Sequence, residues 1–232
     1  MARLILASQS PRREALLRQV GLAFEIVPSE AEEQLLLGVP PEVAAEMLAV
    51  GKALQVASQR TEGLVIGADT VVVVDGQALG KPAGADDARA MLRRLSGREH
   101  QVITGIAVVD AATGRVRSDR VTTAVRFAPL SEEVISRYVA TGEPLDKAGA
   151  YGIQGYGALL IEGIQGCYYN VVGLPLRRLA ELLGEFGYDA FEMRAAPARG
   201  RARGHAHALP DLGGRQSPPP LQGRSRKGRP KS

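Results

Sequence analysis

The chain has 232 residues, 45% hydrophobic and 4% aromatic, with no tryptophan and a formal net charge of +4. That suits one large domain or two small ones with an aliphatic core, and it excludes a wholly disordered chain. Cys167 is the single cysteine, which excludes an internal disulfide framework, and no apolar run reaches the ~18 residues of a membrane-spanning helix.

The predicted elements begin with a buried strand at Leu4–Ala7, whose apolar run is too short for a signal peptide. Ser10 is placed to cap a helix that Pro11 opens, that runs from Arg12 to Val20 and that Gly21 ends. Phe24–Val27 reads as a second strand. Pro41–Ser58 reads as a helix, with apolar residues at 44, 47, 48, 54 and 57. Leu64–Ile66 and Val71–Val74 make a buried strand with a polar interruption, closed by a turn at Asp75-Gly76. A helix covers Asp86–Leu95. Gln101–Val109 and Val116–Phe127 pair across a turn at Gly114. Ser131 caps a helix that ends at Ala140 and carries two acidic residues in its first turn. Leu159–Ile161 is a strand, and Leu176–Phe186 is a closing helix. Strands and helices alternate without an internal repeat, which predicts an α/β fold with a mixed central sheet flanked by helices.

The charge is uneven along the chain. Residues 191–232 hold ten Lys/Arg and two Asp/Glu, a net of +8, which leaves −4 for residues 1–190. The C-terminal stretch is rich in Gly, Pro and Arg, with Phe191 as its one aromatic residue. Such a segment cannot bury enough apolar surface to offset its ordering entropy. The expectation is a folded unit over 1–190 and a basic, disordered tail over 191–232. The tail suits contact with nucleic acid, but it has no stacking aromatics beside its arginines, so a solvated extension is favoured.

Four clusters carry chemistry. Ser8-Gln9-Ser10-Pro11-Arg12-Arg13 joins a strand end to a helix N-terminus, where free amides, hydroxyls and forked guanidinium donors suit a phosphate. An ordinary capped helix with a solvated arginine pair is the plainer alternative. Gly67-Ala68-Asp69-Thr70 puts a carboxylate in the most apolar stretch of the chain, where it must be paired, hold a cation or act as a base. Glu30, Glu32 and Glu33 form an acidic loop that, with Asp69, could supply the one or two carboxylates Mg²⁺ prefers. A solvated loop is the alternative there. Lys81 lies in a loop and Lys52 on a helix, where a lone lysine is usually a surface residue. Finally, Glu143 to Gly155 is too glycine-rich and polar for core packing. Its glycines allow close backbone approach to a ligand, and Gln154 offers both a donor and an acceptor to a base. A mobile surface loop is the alternative. His100, His205 and His207 show no metal-ligand spacing.

Taken in order, Ser8-x-Ser10-Pro11-Arg12-Arg13, Gly67-Ala68-Asp69-Thr70-Val71-Val72, Lys81-Pro82 and Asp146-Lys147-Ala148-Gly149-Ala150-Tyr151-Gly152-Ile153-Gln154-Gly155 resemble the Maf family over about residues 3–188. The resemblance implies a fold similar to the inosine triphosphate pyrophosphatases and a hydrolase acting on phosphoric anhydride bonds. It implies cleavage of a nucleoside triphosphate to the monophosphate and pyrophosphate, a divalent cation (Mg²⁺ or Mn²⁺), a cytoplasmic location and a homodimer. Asp69 matches the catalytic acid/base position, and Arg12, Thr70 and Gln154 match positions that distinguish substrate classes. The 146–155 run is similar to the branch acting on dTTP and UTP. On this basis Asp69 and Glu33 are expected to hold the metal. Ser8, Ser10, Arg12, Arg13, Lys52, Thr70, Lys81 and Gln154 are expected to bind substrate. The alternatives are a 7-methyl-GTP pyrophosphatase and a nucleic-acid-binding regulator of cell division acting through the tail.

Overall fold

The computed structural model describes residues 2–31 and 38–192, within a unit that spans Met1–Pro197. From residue 193 onward the expected tail lies outside the described residues, as do Glu32 and Glu33. Among the described residues no helix is long and apolar enough to cross a membrane.

The chain runs β1 (Leu4–Leu6), α1 (Pro11–Gln19), β2 (Phe24–Ile26), α2 (Pro41–Ala57), β3 (Leu64–Val74), β4 (Gln77–Leu79), α3 (Ala85–Leu95), β5 (Glu99–Asp110), β6 (Val116–Phe127), α4 (Glu132–Ala140), β7 (Ile161–Gln165), α5 (Tyr168–Val172) and α6 (Leu176–Gly184). One seven-stranded mixed sheet forms in the order β2-β1-β3-β5-β6-β7, with β4 paired to β3. β1 runs parallel to β2 and β3, and the other pairings are antiparallel.

Alternation along β3 sorts its residues to two faces. Val65, with Ala107 and Val109 of β5, packs under Ala49, Ala53 and Val56 of α2. The other face holds two clusters. Leu64, Ile66 and Ala68 pack with α1 and α6, whereas Val72 and Val74 pack with α3 and α4. β3 therefore crosses both clusters, with Thr70 between them.

α2 lies unusually close to the sheet. A Cβ on Gly67 would come 2.2 Å from the Ala49 carbonyl oxygen, and one on Gly105 would come 2.3 Å from that of Ala45. Two strand positions without side chains thus face a helix whose buried stripe includes Ala45, Ala49 and Ala53.

Several local expectations change. The polar stretch 67–70 does not interrupt β3, which is one continuous strand, because its backbone pairs with β5 throughout. Ser10 takes the cap position without a capping hydrogen bond, and its amide instead donates to Ser8 Oγ at 3.2 Å. Ser131 caps as expected, accepting from the Val134 amide at 3.2 Å. The strand expected at 159–161 is displaced: Gly155–Leu160 forms a 3-10 turn and β7 follows it. The 143–160 segment is not a loose loop. It contains three 3-10 turns, and Gly149, Ala150, Tyr151, Ile153, Gly157 and Leu160 are buried.

Candidate active site

A cavity of about 530 Å³ opens where β1 ends, and both faces of β3 reach it, Asp69 with Lys52 from the α2 side and Thr70 with Arg13 from the other. Ser8, Ser10, Arg12, Arg13, Lys52, Asp69, Thr70, Lys81 and Gln154 all line it. These residues come from the β1–α1 junction, α2, β3, the loop after β4 and the 143–160 segment. The sheet order supplies the proximity: β1 ends beside the middle of β3, so the hydroxyl loop of β1 meets Asp69 and Thr70.

Asp69 is 8% exposed and Lys52 7%. Lys52 Nζ stands 2.7 Å from Asp69 Oδ1, a buried ion pair. The close approach of α2 at Gly67 and Gly105 brings the lysine here, since Ala45, Ala49 and Lys52 follow one another along the buried stripe of the helix. Lys52 is therefore not the surface lysine that its helical position alone suggests. Lys52 takes one Asp69 oxygen, and among the described residues Oδ2 carries no hydrogen bond.

Arg13 occupies the other side of β3. Its Nε donates to the Gly173 carbonyl at 2.9 Å, Nη1 to Ser8 Oγ at 3.2 Å and Nη2 to Thr70 Oγ1 at 3.1 Å. One guanidinium thus ties together the β1 loop, β3 and the α5–α6 junction. Arg12 reaches across the cavity mouth to Asp146, Nη1 to Oδ2, at 3.4 Å. Burial would raise the Asp146 carboxyl, but hydrogen bonds and charge from Lys147 and Arg12 hold it below its ordinary value. Lys81 and Gln154 are exposed at the rim. The Gly149 amide donates to the Gly80 carbonyl at 3.0 Å, which joins the 148–150 turn to the Lys81 loop.

The acidic loop arrives from β2. Glu30 lines the cavity, and Ser29 Oγ donates to Gln55 Oε1 of α2 at 2.5 Å. The metal role expected for Glu33 falls outside the described residues.

Sequence reasoning did not single out several supporting groups. Glu143 accepts from Tyr138 Oη and from the Tyr156 and Gly157 amides, which anchors the 155–157 turn. Tyr151 Oη lies 2.6 Å from His100 Nε2, and both pack edge-on against Phe127. Burial raises the hydroxyl pKa of both tyrosines, with Glu143 adding to the shift at Tyr138, so both stay protonated. Thr104, a hydroxyl in an apolar strand, and Asn170 are fully buried behind Thr70. Asn170 Nδ2 donates to the Val102 carbonyl and to Thr123 Oγ1, each at 2.9 Å, and holds α5 to the sheet. Thr104 gave a legible signal, a polar residue in register with buried aliphatics. The glutamate anchor gave none, because its partners are backbone amides.

The site combines a buried ionised pair, hydroxyls and cationic groups around a cavity of nucleotide size. The model of the family described as Maf-like protein matches residues 3–186. A dTTP/UTP pyrophosphatase of Symbiobacterium thermophilum is 54% identical over 191 residues, covering 82% of this chain and 97% of that protein. The dTTP/UTP pyrophosphatase of Moorella thermoacetica is 53% identical over 191 residues, covering 82% and 98%. That of Clostridioides difficile is 51% identical over 183 residues, covering 79% and 94%. The chain belongs to the Maf family.

Proposed function

We propose that the protein is a nucleoside triphosphate pyrophosphatase that cleaves dTTP and UTP to the monophosphate and pyrophosphate. One observation carries this: a buried Asp69–Lys52 pair, 2.7 Å apart, opens onto a cavity lined by four further cationic residues, Arg12, Arg13, Lys81 and Lys147. The names of the similar proteins support the choice of substrate.

In this reading Asp69 accepts a proton from water as the water oxygen bonds to the α phosphorus. The bond from the α phosphorus to the bridging oxygen breaks, and that oxygen leaves with pyrophosphate. Lys52 compensates the charge on Asp69 and keeps the carboxylate in one orientation. The N-terminus of α1, with Ser8 and Ser10 beside it, offers donors to phosphate oxygens, and Arg12 and Lys81 add positive charge as pyrophosphate departs. Gln154, at the rim, contacts the nucleoside.

A divalent cation, Mg²⁺ or Mn²⁺, is implied by the family resemblance. Among the described residues no group of three or more His, Cys, Asp or Glu gathers to hold a metal. Asp69 Oδ2 and Glu30 in one cavity instead fit a hard cation that completes its shell from phosphate oxygens and water. Asp69 and the acidic loop would hold it, with Glu30 or Glu33 as second carboxylate. Bound there, it supplies charge neutralisation and a more acidic water.

A panel of triphosphates with pyrophosphate detection tests the proposal. Turnover of dTTP and UTP above purine triphosphates is expected, and a preference for a purine such as 7-methyl-GTP would overturn it. The same family resemblance supports a cytoplasmic homodimer. Light scattering should then give about twice the 24.6 kDa of the chain.

A further inference from the structure

A hydroxyl has one hydrogen and two lone pairs, so its protein partners decide what it can offer a ligand. Thr70 and Thr104 face each other in the β3–β5 register with their Oγ1 atoms 3.0 Å apart. Thr104 Oγ1 also lies 3.0 Å from the Asn170 backbone carbonyl, which can only accept. Thr104 is fully buried. Both of its contacts are hydrogen bonds only when its hydrogen goes to that carbonyl, which makes Thr70 the donor to Thr104. Arg13 Nη2 then occupies a lone pair of Thr70 at 3.1 Å. Thr70 has spent its hydrogen and one lone pair, and a lone pair remains. Ser8 is in the opposite state. Its Oγ accepts from Arg13 Nη1 and from the Ser10 amide, both at 3.2 Å, and it keeps its hydrogen.

We infer that Arg13 and Thr104 are positioning residues that fix Ser8 as a hydrogen donor and Thr70 as an acceptor in the same cavity. Ser8 therefore suits an anionic oxygen, and Thr70 suits a ligand N–H. This rests on the nucleotide hydrolysis proposed above. An ionised phosphate has no hydrogen for Thr70, so Thr70 meets the nucleoside. Uracil and thymine present an imide N3–H there, whereas cytosine presents a lone pair at N3 and would face an acceptor with an acceptor. The sugar hydroxyls, 2′ in UTP and 3′ in UTP and dUTP alike, are the other donors a ligand brings; a 2′ contact would show in the UTP/dUTP ratio and a 3′ contact would leave both ratios unchanged.

The test compares kcat/KM for dUTP, dCTP and UTP in wild type, Thr104→Val and Thr104→Ser. Valine fills the threonine volume, and the Asn170 carbonyl keeps the Gly173 amide at 3.0 Å. Without its acceptor, the Thr70 hydrogen can turn into the cavity. The dUTP-over-dCTP preference should fall about tenfold in Thr104→Val and return in Thr104→Ser, with the UTP/dUTP ratio unchanged. An unchanged dUTP/dCTP ratio in a folded Thr104→Val protein overturns the inference. So does a change confined to UTP/dUTP, which would assign the ligand donor to the sugar. A wild-type protein that cleaves no pyrimidine triphosphate overturns the proposed function instead. The polarity is then read without substrate, by NMR of the hydroxyl protons. A slowly exchanging Thr70 hydroxyl proton, lost in Thr104→Val, supports it, and its absence from wild type overturns it.

Discussion

The two faces of β3 solve different problems. Under α2, Gly67 and Gly105 remove side-chain volume so that one ion pair, Asp69–Lys52, closes to 2.7 Å with both partners buried. On the opposite face nothing is ionised in the strand itself. Arg13, Thr70, Thr104 and the Asn170 carbonyl instead form a chain of hydrogen bonds at 3.0–3.1 Å. A buried charge needs a counter-charge at a set distance, and a hydroxyl needs a set direction. The comparison predicts that damage on the α2 side will cost chemistry and stability together, whereas damage on the hydroxyl side will cost selectivity first.

The largest break is Asp69→Asn. It removes the proposed base and the 2.7 Å partner of Lys52. Turnover should fall by about 10³-fold, and because one member of a buried pair is lost, the unfolding free energy from denaturant titration should fall by an amount on the order of 3 kcal/mol. Unchanged turnover would remove Asp69 from the reaction. Gly105→Ala comes next. The added methyl meets the Ala45 carbonyl at 2.3 Å, so α2 must shift and Lys52 with it. Urea unfolding should show a loss of about 3 kcal/mol, with kcat lowered in the same variant. A stable, fully active Gly105→Ala would show that the helix spacing does not set the pair.

A pH titration sharpens the hydroxyl side, where His100 holds Tyr151. Burial lowers the His100 pKa from 6.5 to about 4. The unfolded chain takes up this proton below about 6.5, whereas the folded chain resists it until about 4. Stability is thus fully present above about 6.5 and is lost as pH falls to about 4, by an amount on the order of 3 kcal/mol. Comparing midpoints at pH 7 and 4.5 should show a smaller loss in His100→Gln than in wild type. The smallest effect belongs to Thr70→Val. It should lower kcat/KM for dTTP about tenfold and leave the unfolding free energy within ~1 kcal/mol of wild type. Equal losses for every triphosphate would show that the hydroxyl does not read the nucleoside.

The fold class, the five longer helices and the long central strands were legible because their apolar spacing is regular over nine residues or more. The short elements were not. β4 and α5 have three and five residues, too few to show a period. β7 is mostly exposed and pairs within the sheet only with β6, so no buried alternation marks it. At the site, Asp69 stood out as a charge in an apolar strand. Lys52 did not, because its burial depends on two glycines in two other elements. Arg13 was legible as a cation but not as a tether, since its partners Gly173, Ser8 and Thr70 lie 160, 5 and 57 residues away. Spacing in sequence shows which groups are available; topology decides which of them are already occupied.

β3 and β5 are paired over ten registers and contribute side chains to both clusters that flank the cavity. The cleft thus has a continuous floor, and its two walls cannot swing apart about a hinge without tearing the ladder. Admission and release of a nucleotide fall to the rim, above all to the 143–160 segment with its Arg12–Asp146 clasp. Amide exchange should be faster along that rim than along 64–74, so the traffic of ligands is a property of short turns set on an unyielding base.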